Sequence, residues 1–446
     1  VAGGQAQGLV TRALRGSAIT ALAYAASQAL RLASNLVLAR LLFPEAFGVM
    51  ALVTVVLVGL TMFSDVGLGP AISRSARGDD PAFLDTAWTI AVLRGVILWA
   101  VAAALAQPLA AFYGAPDLAA LIPVAALALV VAGFNPTRID TANRHLLLGR
   151  VTVLDLAAQA VGIVAMVLLA WATGSVWSLV IGALVTAAAK LGLTWTLLPG
   201  PANRFRWDRA AGGELLHFGK WILASTVCGF LLAQGDRLIL GAYLSLEALG
   251  HYNIGYFLAS FPWALGGAVT MRIMIPLYRD DPPGAKAANR PRVRRLRLGM
   301  TAVLLALLAV LAVAGPWLVG LLYDARYAEA GAVVVMVALV QMPLVVGMTY
   351  DQAALAAGAS RQFFAVILLR AAVQTGAFWL GAHLGGMAGA LAAQGAAAVV
   401  LHPALVWLAR RHGVWDARHD AAGLAAAAAV AALAVWLHRD VIASVM

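Results

Sequence analysis

Apolar runs of about twenty residues, each long enough to cross a bilayer core as a helix, recur along the whole chain. Short segments rich in Pro, Gly and charge separate them. About thirteen runs are legible, near residues 17–39, 47–64, 83–107, 118–135, 151–173, 176–198, 215–235, 249–276, 299–322, 331–353, 362–382, 385–409 and 421–437. The runs are continuous, whereas barrel strands would alternate over about ten residues, so helices are predicted. Composition agrees: 63% of the 446 residues are hydrophobic and only 11% charged, against about 45–50% and roughly 25% in soluble domains. The pattern therefore predicts an all-α polytopic membrane protein.

Charge changes the picture in two ways. The formal net charge is +11, yet the basic residues punctuate apolar runs instead of forming a polar domain, which excludes nucleic acid as a partner. They also crowd into every second gap: Arg12 and Arg15; Arg74 and Arg77; Arg138, Arg144 and Arg150; Arg204, Arg206 and Arg209; Arg279, Lys286, Arg290, Arg292, Arg294, Arg295 and Arg297; Arg361; and Arg410, Arg411 and Arg418. The opposite gaps hold Arg40, Arg237, Arg326 and Arg439. The positive-inside rule then predicts a cytoplasmic N-terminus. Residues 12–27 mimic a signal peptide, with Ala23-Tyr24-Ala25 as its end. The apolar run continues past Arg31 to Ala39, so the segment is expected to stay as the first span.

The chain carries a self-match. Residues 36–48, LVLARLLFPEAFG, align with 238–250, LILGAYLSLEALG, so that Leu36 pairs with Leu238, Leu38 with Leu240, Glu45 with Glu247 and Gly48 with Gly250. Both copies join the first span of a set of six to the second. This predicts two pseudo-symmetric six-helix bundles: residues 1–198, a cytoplasmic linker 199–214, and residues 215–410, with 411–446 adding a thirteenth span. An even number of spans per half relates the halves by an axis along the membrane normal, a known transporter plan.

Polar residues within the runs mark candidate chemistry, because a charge at a span centre costs about 2.5–3.5 kcal/mol on insertion scales. Arg31, Arg94 and Arg370 lie deep, whereas Lys220 and Arg272 are near enough to a cytoplasmic end to snorkel. In the first span Thr20, Tyr24, Gln28, Arg31 and Asn35 recur at helical spacing and share a face. Such a stripe packs on other helices or lines a wet cavity. Arg370 and Gln374 form an i,i+4 pair, and Asp155, Asp236 and Asp351 are the acids placed to pair with buried cations. The balance of deep charge is positive, which suits an anionic ligand.

Several chemistries are not signalled. There is no G-x-x-x-x-G-K-[ST] for ATP hydrolysis and no H-E-x-x-H or Cys/His cluster for a metal. The lone Cys228 excludes intrachain disulfides, and no cofactor is expected. The histidines are scattered, with His383, His402 and His438 at span ends, where solvated roles are the default. Asp79-Asp80 and Asp280-Asp281 read as solvated loop acids. Outer gaps are too short for the external domain that a polysaccharide polymerase or ligase would want, so the chain is not expected to be an enzyme. The basic loop 279–298 reads as a topology signal in contact with anionic lipids.

One stretch carries a resemblance. Ala39-Arg40-Leu41-Leu42, Pro44-Glu45, Phe47-Gly48 and Phe63-Ser64-Asp65-Val66-Gly67-Leu68, within residues 36–74, are similar to the Wzx-type oligosaccharide flippases of surface polysaccharide synthesis. These form the polysaccharide-transporter branch of the multidrug/oligosaccharidyl-lipid/polysaccharide (MOP) superfamily. Residues 236–262, DRLILGAYLSLEALGHYNIGYFLASFP, resemble the same family. The resemblance implies two six-helix bundles around a central cavity and alternating access in the bacterial inner membrane. The implied cargo is an undecaprenyl-pyrophosphate-linked oligosaccharide, and other polysaccharide biosynthesis proteins are implied partners. On that reading Arg31, Arg94 and Arg370 meet pyrophosphate or acidic sugars, and Tyr24, Gln28, Asn35 and Gln374 meet hydroxyls. Asp155, Asp236 and Asp351 serve as ion-pair or coupling groups. The rivals are a multidrug cation antiporter of the same superfamily, whose cargo would call for cavity carboxylates, a peptidoglycan lipid-precursor flippase, and a membrane polymerase. An odd thirteenth span departs from the twelve or fourteen usual in the family.

Overall fold

The computed structural model describes residues 22–23, 25–65, 67–145, 147–219, 223–280 and 289–443, and all regular structure among them is helical. Eight helices are long and apolar enough to cross a membrane, or up to ten if each of two bent pairs counts as one span. The prediction of about thirteen spans therefore stands neither confirmed nor refuted among these residues. The chain divides into two compact units, one made of residues up to Leu42 with Leu52–Thr226, the other of Phe43–Ala51 with Val227–Met446.

The first unit contains α1 (25–41) and most of α2 (Pro44–Phe63), then α3 (Leu68–Arg74), α4 (Pro81–Phe112) and α5 (Leu118–Gly133). It continues with α6 (Arg138–Arg144), α7 (Leu148–Thr173), α8 (Trp177–Leu197) and α9 (Arg209–Gly219). Small residues set its closest packing. A Cβ on Gly95 would meet the Leu129 carbonyl at 2.6 Å, and one on Gly133 the Ala91 carbonyl at 2.7 Å, so α4 and α5 touch backbone to backbone.

Segment 199–214, expected as a linker, is folded onto this unit. Ala211 and Leu215 are fully buried in a cluster with Ile72, Phe83 and Leu84. Asn203 accepts hydrogen bonds at Oδ1 from the Thr137 backbone and hydroxyl at 3.0 and 3.1 Å. Its polar side chains supply partners for loop backbone. The acidic pair Asp79-Asp80 is likewise engaged. Arg144 donates to Asp79 at 3.1 Å and to the carbonyls of Ile72, Ser73 and Ser75, and Arg77 donates to Asp80 at 2.8 Å.

The second unit runs through α10 (Leu223–Tyr243), α11 (Leu246–Ala259), α12 (Phe261–Val269), a π-helical turn (Thr270–Met274) and α13 (Ile275–Asp280). It goes on with α14 (Arg290–Leu322), α15 (Ala330–Gly347), α16 (Tyr350–Ala356), α17 (Ser360–Arg411), α18 (Ala417–Leu437) and α19 (Arg439–Ala443). Its centre is α15, whose best apolar window is 83% buried, against 22–28% in α14, α17 and α18. Within α17 the backbone leaves the helix at Gly385 and Gly386, the latter with φ of 57°, a left-handed conformation that favours glycine. Cβ atoms on Gly381 and Gly389 would each overlap the other's carbonyl, so the chain reverses there and forms two apposed limbs. The sequence runs 362–382 and 385–409 are those limbs.

The matched segments of the self-match meet in this unit. A Cβ on Gly48 would overlap the carbonyl of Leu246, and a Cβ on Gly250 would overlap the carbonyl of Pro44. Pro44 is to Leu246 as Gly48 is to Gly250 in the alignment, so the crossing of α2 and α11 is reciprocal. A local two-fold relation between the two segments produces that pattern. Phe47 against Tyr327 and Arg326 over the Phe43 ring flank it.

Candidate functional site

In the second unit a cavity of about 140 Å³ opens where α12, the π-helical turn, α15, α16 and α17 converge. Its apolar wall includes Trp263 and Pro343, and its polar wall is Thr270, Asp351, Gln352, Arg370 and Gln374. Local irregularity shapes it. The π turn rotates Thr270 and Met271 relative to regular α geometry, a feature common at functional positions, and Pro343 within α15 removes a backbone donor. Arg370 and Asp351 form an ion pair at 3.1 Å, with side chains 14% and 9% exposed. Nε2 of Gln374 is buried with no hydrogen-bond partner among the described residues. A second, smaller cavity on the other side of Gln374 is lined by Asp236, Tyr256, Thr375 and Gln394. Asp236 accepts from Tyr252 at 2.6 Å and pairs with Arg237 at 3.2 Å.

The predicted residues thus fall into two groups. Arg370, Gln374 and Asp351 share one cavity, and Asp236 lines its neighbour. The rest lie in the first unit. Arg94 donates to the Ser64 hydroxyl at 2.9 Å and the Thr61 carbonyl at 2.8 Å. Asp155 pairs with Lys190 at 2.7 Å. On α1, Arg31 is exposed and Gln28 and Asn35 are partly buried, while neighbouring Ser27 donates to Gln159 at 2.6 Å. Tyr24 and Lys220 lie outside the described residues.

Sequence reasoning missed a buried polar knot at the start of α18. Asp420 accepts from the Tyr350 hydroxyl at 2.5 Å and from Trp415 Nε1 at 3.0 Å. His402 Nε2 and His419 Nδ1 lie 3.1 and 2.9 Å from the same carboxylate. Thr301 is 3.0 Å from the other nitrogen of His419. Arg297 donates to Thr349, to the Val414 carbonyl and to the Tyr278 hydroxyl, and stacks on the Tyr350 ring. His402 was expected at a solvated span end; instead Asp420, one helix on, draws it inward. The predicted thirteenth span is thereby tied to α14, α16 and α17. Tyr350 adjoins Asp351, so the knot also braces the polar wall of the cavity.

The comparisons place this fold. The family described as polysaccharide biosynthesis protein matches residues 37–332. The chain belongs to that family. Among similar curated proteins, the succinoglycan biosynthesis transport protein ExoT of Rhizobium meliloti (strain 1021) is 26% identical over 80% of this chain and 71% of its own. The lipopolysaccharide biosynthesis protein WzxC of Escherichia coli (strain K12) is 24% identical over 55% of this chain and half of its own. Of solved structures, the lipid II flippase MurJ in an inward closed conformation matches with a TM-score of 0.67 at 11% identity, over 95% of this chain and 99% of that one. An inward-facing multidrug resistance MATE transporter of the MOP superfamily gives 0.54 at 15%, over 90% and 95%. The chain is therefore a multi-pass membrane protein with the MOP transporter fold, and both family and fold are those of transporters.

Proposed function

We propose that this protein translocates undecaprenyl-pyrophosphate-linked oligosaccharide repeat units from the cytoplasmic to the periplasmic leaflet by alternating access, supplying surface polysaccharide assembly. The family match over residues 37–332, joined to a succinoglycan transport relative spanning most of the chain, carries the reading. On this reading the protein sits in the bacterial inner membrane with its N-terminus cytoplasmic, an orientation that the loop arginines support.

The residues divide the labour by chemistry. Arg31 and Arg94 meet the pyrophosphate or acidic sugars, because a guanidinium keeps its charge and presents a fork matched to phosphate oxygens. Tyr24, Gln28 and Asn35 meet hydroxyls. Arg370 and Gln374, with Trp263 in the same cavity wall, form a sugar subsite: an apolar aromatic beside hydrogen-bonding groups. The unpartnered amide of Gln374 supports this, since a buried donor without an acceptor is costly until a ligand satisfies it. Asp155, Asp236 and Asp351 pair with Lys190, Arg237 and Arg370 and are the coupling candidates. An inside-negative potential favours moving an anion outward by about 2.3 kcal/mol per charge per 100 mV, so cation exchange is not obligatory.

Lipid-linked intermediates measured by mass spectrometry in a strain lacking the protein test this reading. One polyprenyl-pyrophosphate oligosaccharide should accumulate on the cytoplasmic leaflet. Single units on the outer leaflet would instead indicate a polymerase. An unchanged lipid profile with new sensitivity to cationic drugs would indicate a multidrug antiporter.

A further inference from the structure

We propose that His251 and Glu329 form a proton-binding site that pins the start of α11 to the start of α15, beside the crossing of α2 and α11. The ring of His251 is buried, and both of its nitrogens face acceptors. Nδ1 lies 2.9 Å from Oε2 of Glu329, and Nε2 lies 2.8 Å from the Arg326 carbonyl oxygen. A neutral imidazole has one N–H and one bare nitrogen. A backbone carbonyl can only accept, so Nε2 must carry a hydrogen. Nδ1 and the carboxylate oxygen would then meet lone pair to lone pair unless a further proton lies between them. That proton belongs on the ring, because an imidazole holds a proton about a hundredfold more tightly than a carboxylate does. His251 is thus an imidazolium bridging a carboxylate and a carbonyl. Losing the proton turns the stronger, charge-assisted contact into a repulsive one.

The surroundings favour the same proton. Glu247 stands one turn back on the same helix face, and Glu45 of α2 acts on the adjoining Tyr327. Arg326 is paired with Asp324 at 2.5 Å, and Asp236 and Arg237 of α10 pair with each other. Burial pushes the hydroxyls of Tyr323 and Tyr327 up, so both stay neutral while the ring titrates. The site also touches the crossing. The Tyr327 ring meets His251 and Phe47 of α2 edge-on, at 6.2 and 6.1 Å between centroids. Gly250, the preceding residue, packs on the Pro44 carbonyl. Release of the proton therefore loosens α11 where α2 crosses it. Glu329 is 56% exposed and gives the buried ring a route to water. The contact lies at the far end of α14 from its arginine-rich start, which is the periplasmic end in the orientation that the loop arginines support.

The site does not rest on the transport reading, since its first readout is a protonation state. Solid-state nitrogen NMR of the full-length protein, labelled at its histidine rings, tests it, with the His251 signals identified by their loss in His251→Gln. At about pH 7 both ring nitrogens of His251 should carry a hydrogen. Glu329→Gln should return one of them to the bare form, because an amide can donate to Nδ1. Glu247→Gln, which removes an equal charge without touching the ring, should leave both protonated. Amide hydrogen exchange over residues 246–256, corrected for the intrinsic effect of pH, should speed up about threefold relative to α18 between about pH 6 and about pH 9. In His251→Gln that difference should vanish. A bare nitrogen on His251 in the wild type at neutral pH, or an imidazolium that survives Glu329→Gln, would overturn the site. Exchange that ignores pH in the wild type would overturn its role as a pin.

Discussion

The two units treat charge within apolar helices in opposite ways. In the second, Arg370 is neutralised by Asp351 and Arg237 by Asp236, while Arg297, held by neutral oxygens and the Tyr350 ring, is buried beyond the reach of a passing anion. In the first, Arg94 rests on a hydroxyl and a carbonyl, Lys190 and Asp155 are 35% and 44% exposed, and Arg31 stands exposed on α1. A cation held only by neutral oxygens keeps most of its field for a passing anion. One neutralised by a buried carboxylate has little left to offer unless that pair opens. The contrast teaches that positive charge alone does not define a binding surface: the partners decide whether it binds cargo, holds helices or switches between the two.

The sharpest way to break the comparison is to remove a member of the buried knot. Asp420→Ala leaves His402, His419, Tyr350 and Trp415 without their common acceptor, and losing one partner of a buried ionic network costs about 3–5 kcal/mol. Thermal unfolding of the detergent-solubilised protein should show a large fall in midpoint, whereas Arg94→Ala in the first unit should cost far less. Equal falls would mean that the enclosure of charge in the second unit is incidental to its stability.

Next in size is the reciprocal glycine crossing. Gly48→Ala and Gly250→Ala each place a Cβ against a carbonyl that belongs to the opposite segment, and overpacking of this kind costs about 1–3 kcal/mol. The two variants should be destabilised to a similar degree, because the contacts mirror each other. Gly376→Ala, which meets nothing within 4 Å, should be neutral or slightly stabilising. A loss in one crossing variant without the other would show that the local symmetry is not energetic.

Much of this was legible in the sequence, and the reason differs by feature. Apolar runs give helices because length and continuity alone decide membrane crossing. The glycine match was legible because close backbone contact admits no side chain, so the constraint is written in residue type. The knot was harder to see. Val293, Arg297, Thr301, Leu304 and Leu308 continue one buried helical stripe in α14, so the spacing did mark Arg297 and Thr301 as inward-facing. The crowd of arginines around them masked it. That His402 of α17 and Tyr350 of α16 would converge on Asp420 of α18 depends on three helices meeting, which no local pattern encodes. The same is true of Trp263 lining one cavity with Arg370. The folding of 199–214 onto the first unit was hidden because its contacts, both polar and apolar, are long-range.

Double-mutant cycles sharpen the contrast further. Arg370→Gln and Asp351→Asn should each lower transport and stability, with a coupling of about 1–3 kcal/mol between them. Arg94→Gln should lower transport of a charged repeat unit about tenfold, read as accumulation of the lipid-linked unit, with a stability change of about 1 kcal/mol or less. If Arg31→Ala and Arg370→Ala both transported a charged unit normally, neither would belong to the cargo path.

The smallest effect concerns the loop that closes the first unit. Hydrogen bonding from His145, aided by Arg144, holds the Asp79 carboxyl below the usual carboxylate range, and Arg77 does the same for Asp80. A depressed folded-state pKa means the native state binds the proton less readily than the unfolded chain, so the contribution is complete above the ordinary carboxylate range. It is then lost as pH falls through the lower folded values. Both groups are solvent-facing, so the change is small, and high salt should shrink it. The unfolding midpoint of the wild type should therefore drop slightly more than that of Asp79→Asn/Asp80→Asn between pH 5 and about pH 3. If the two proteins kept the same difference in midpoint across that range, the exposed pairs of the first unit would contribute nothing to its stability, in contrast to the enclosed pairs of the second.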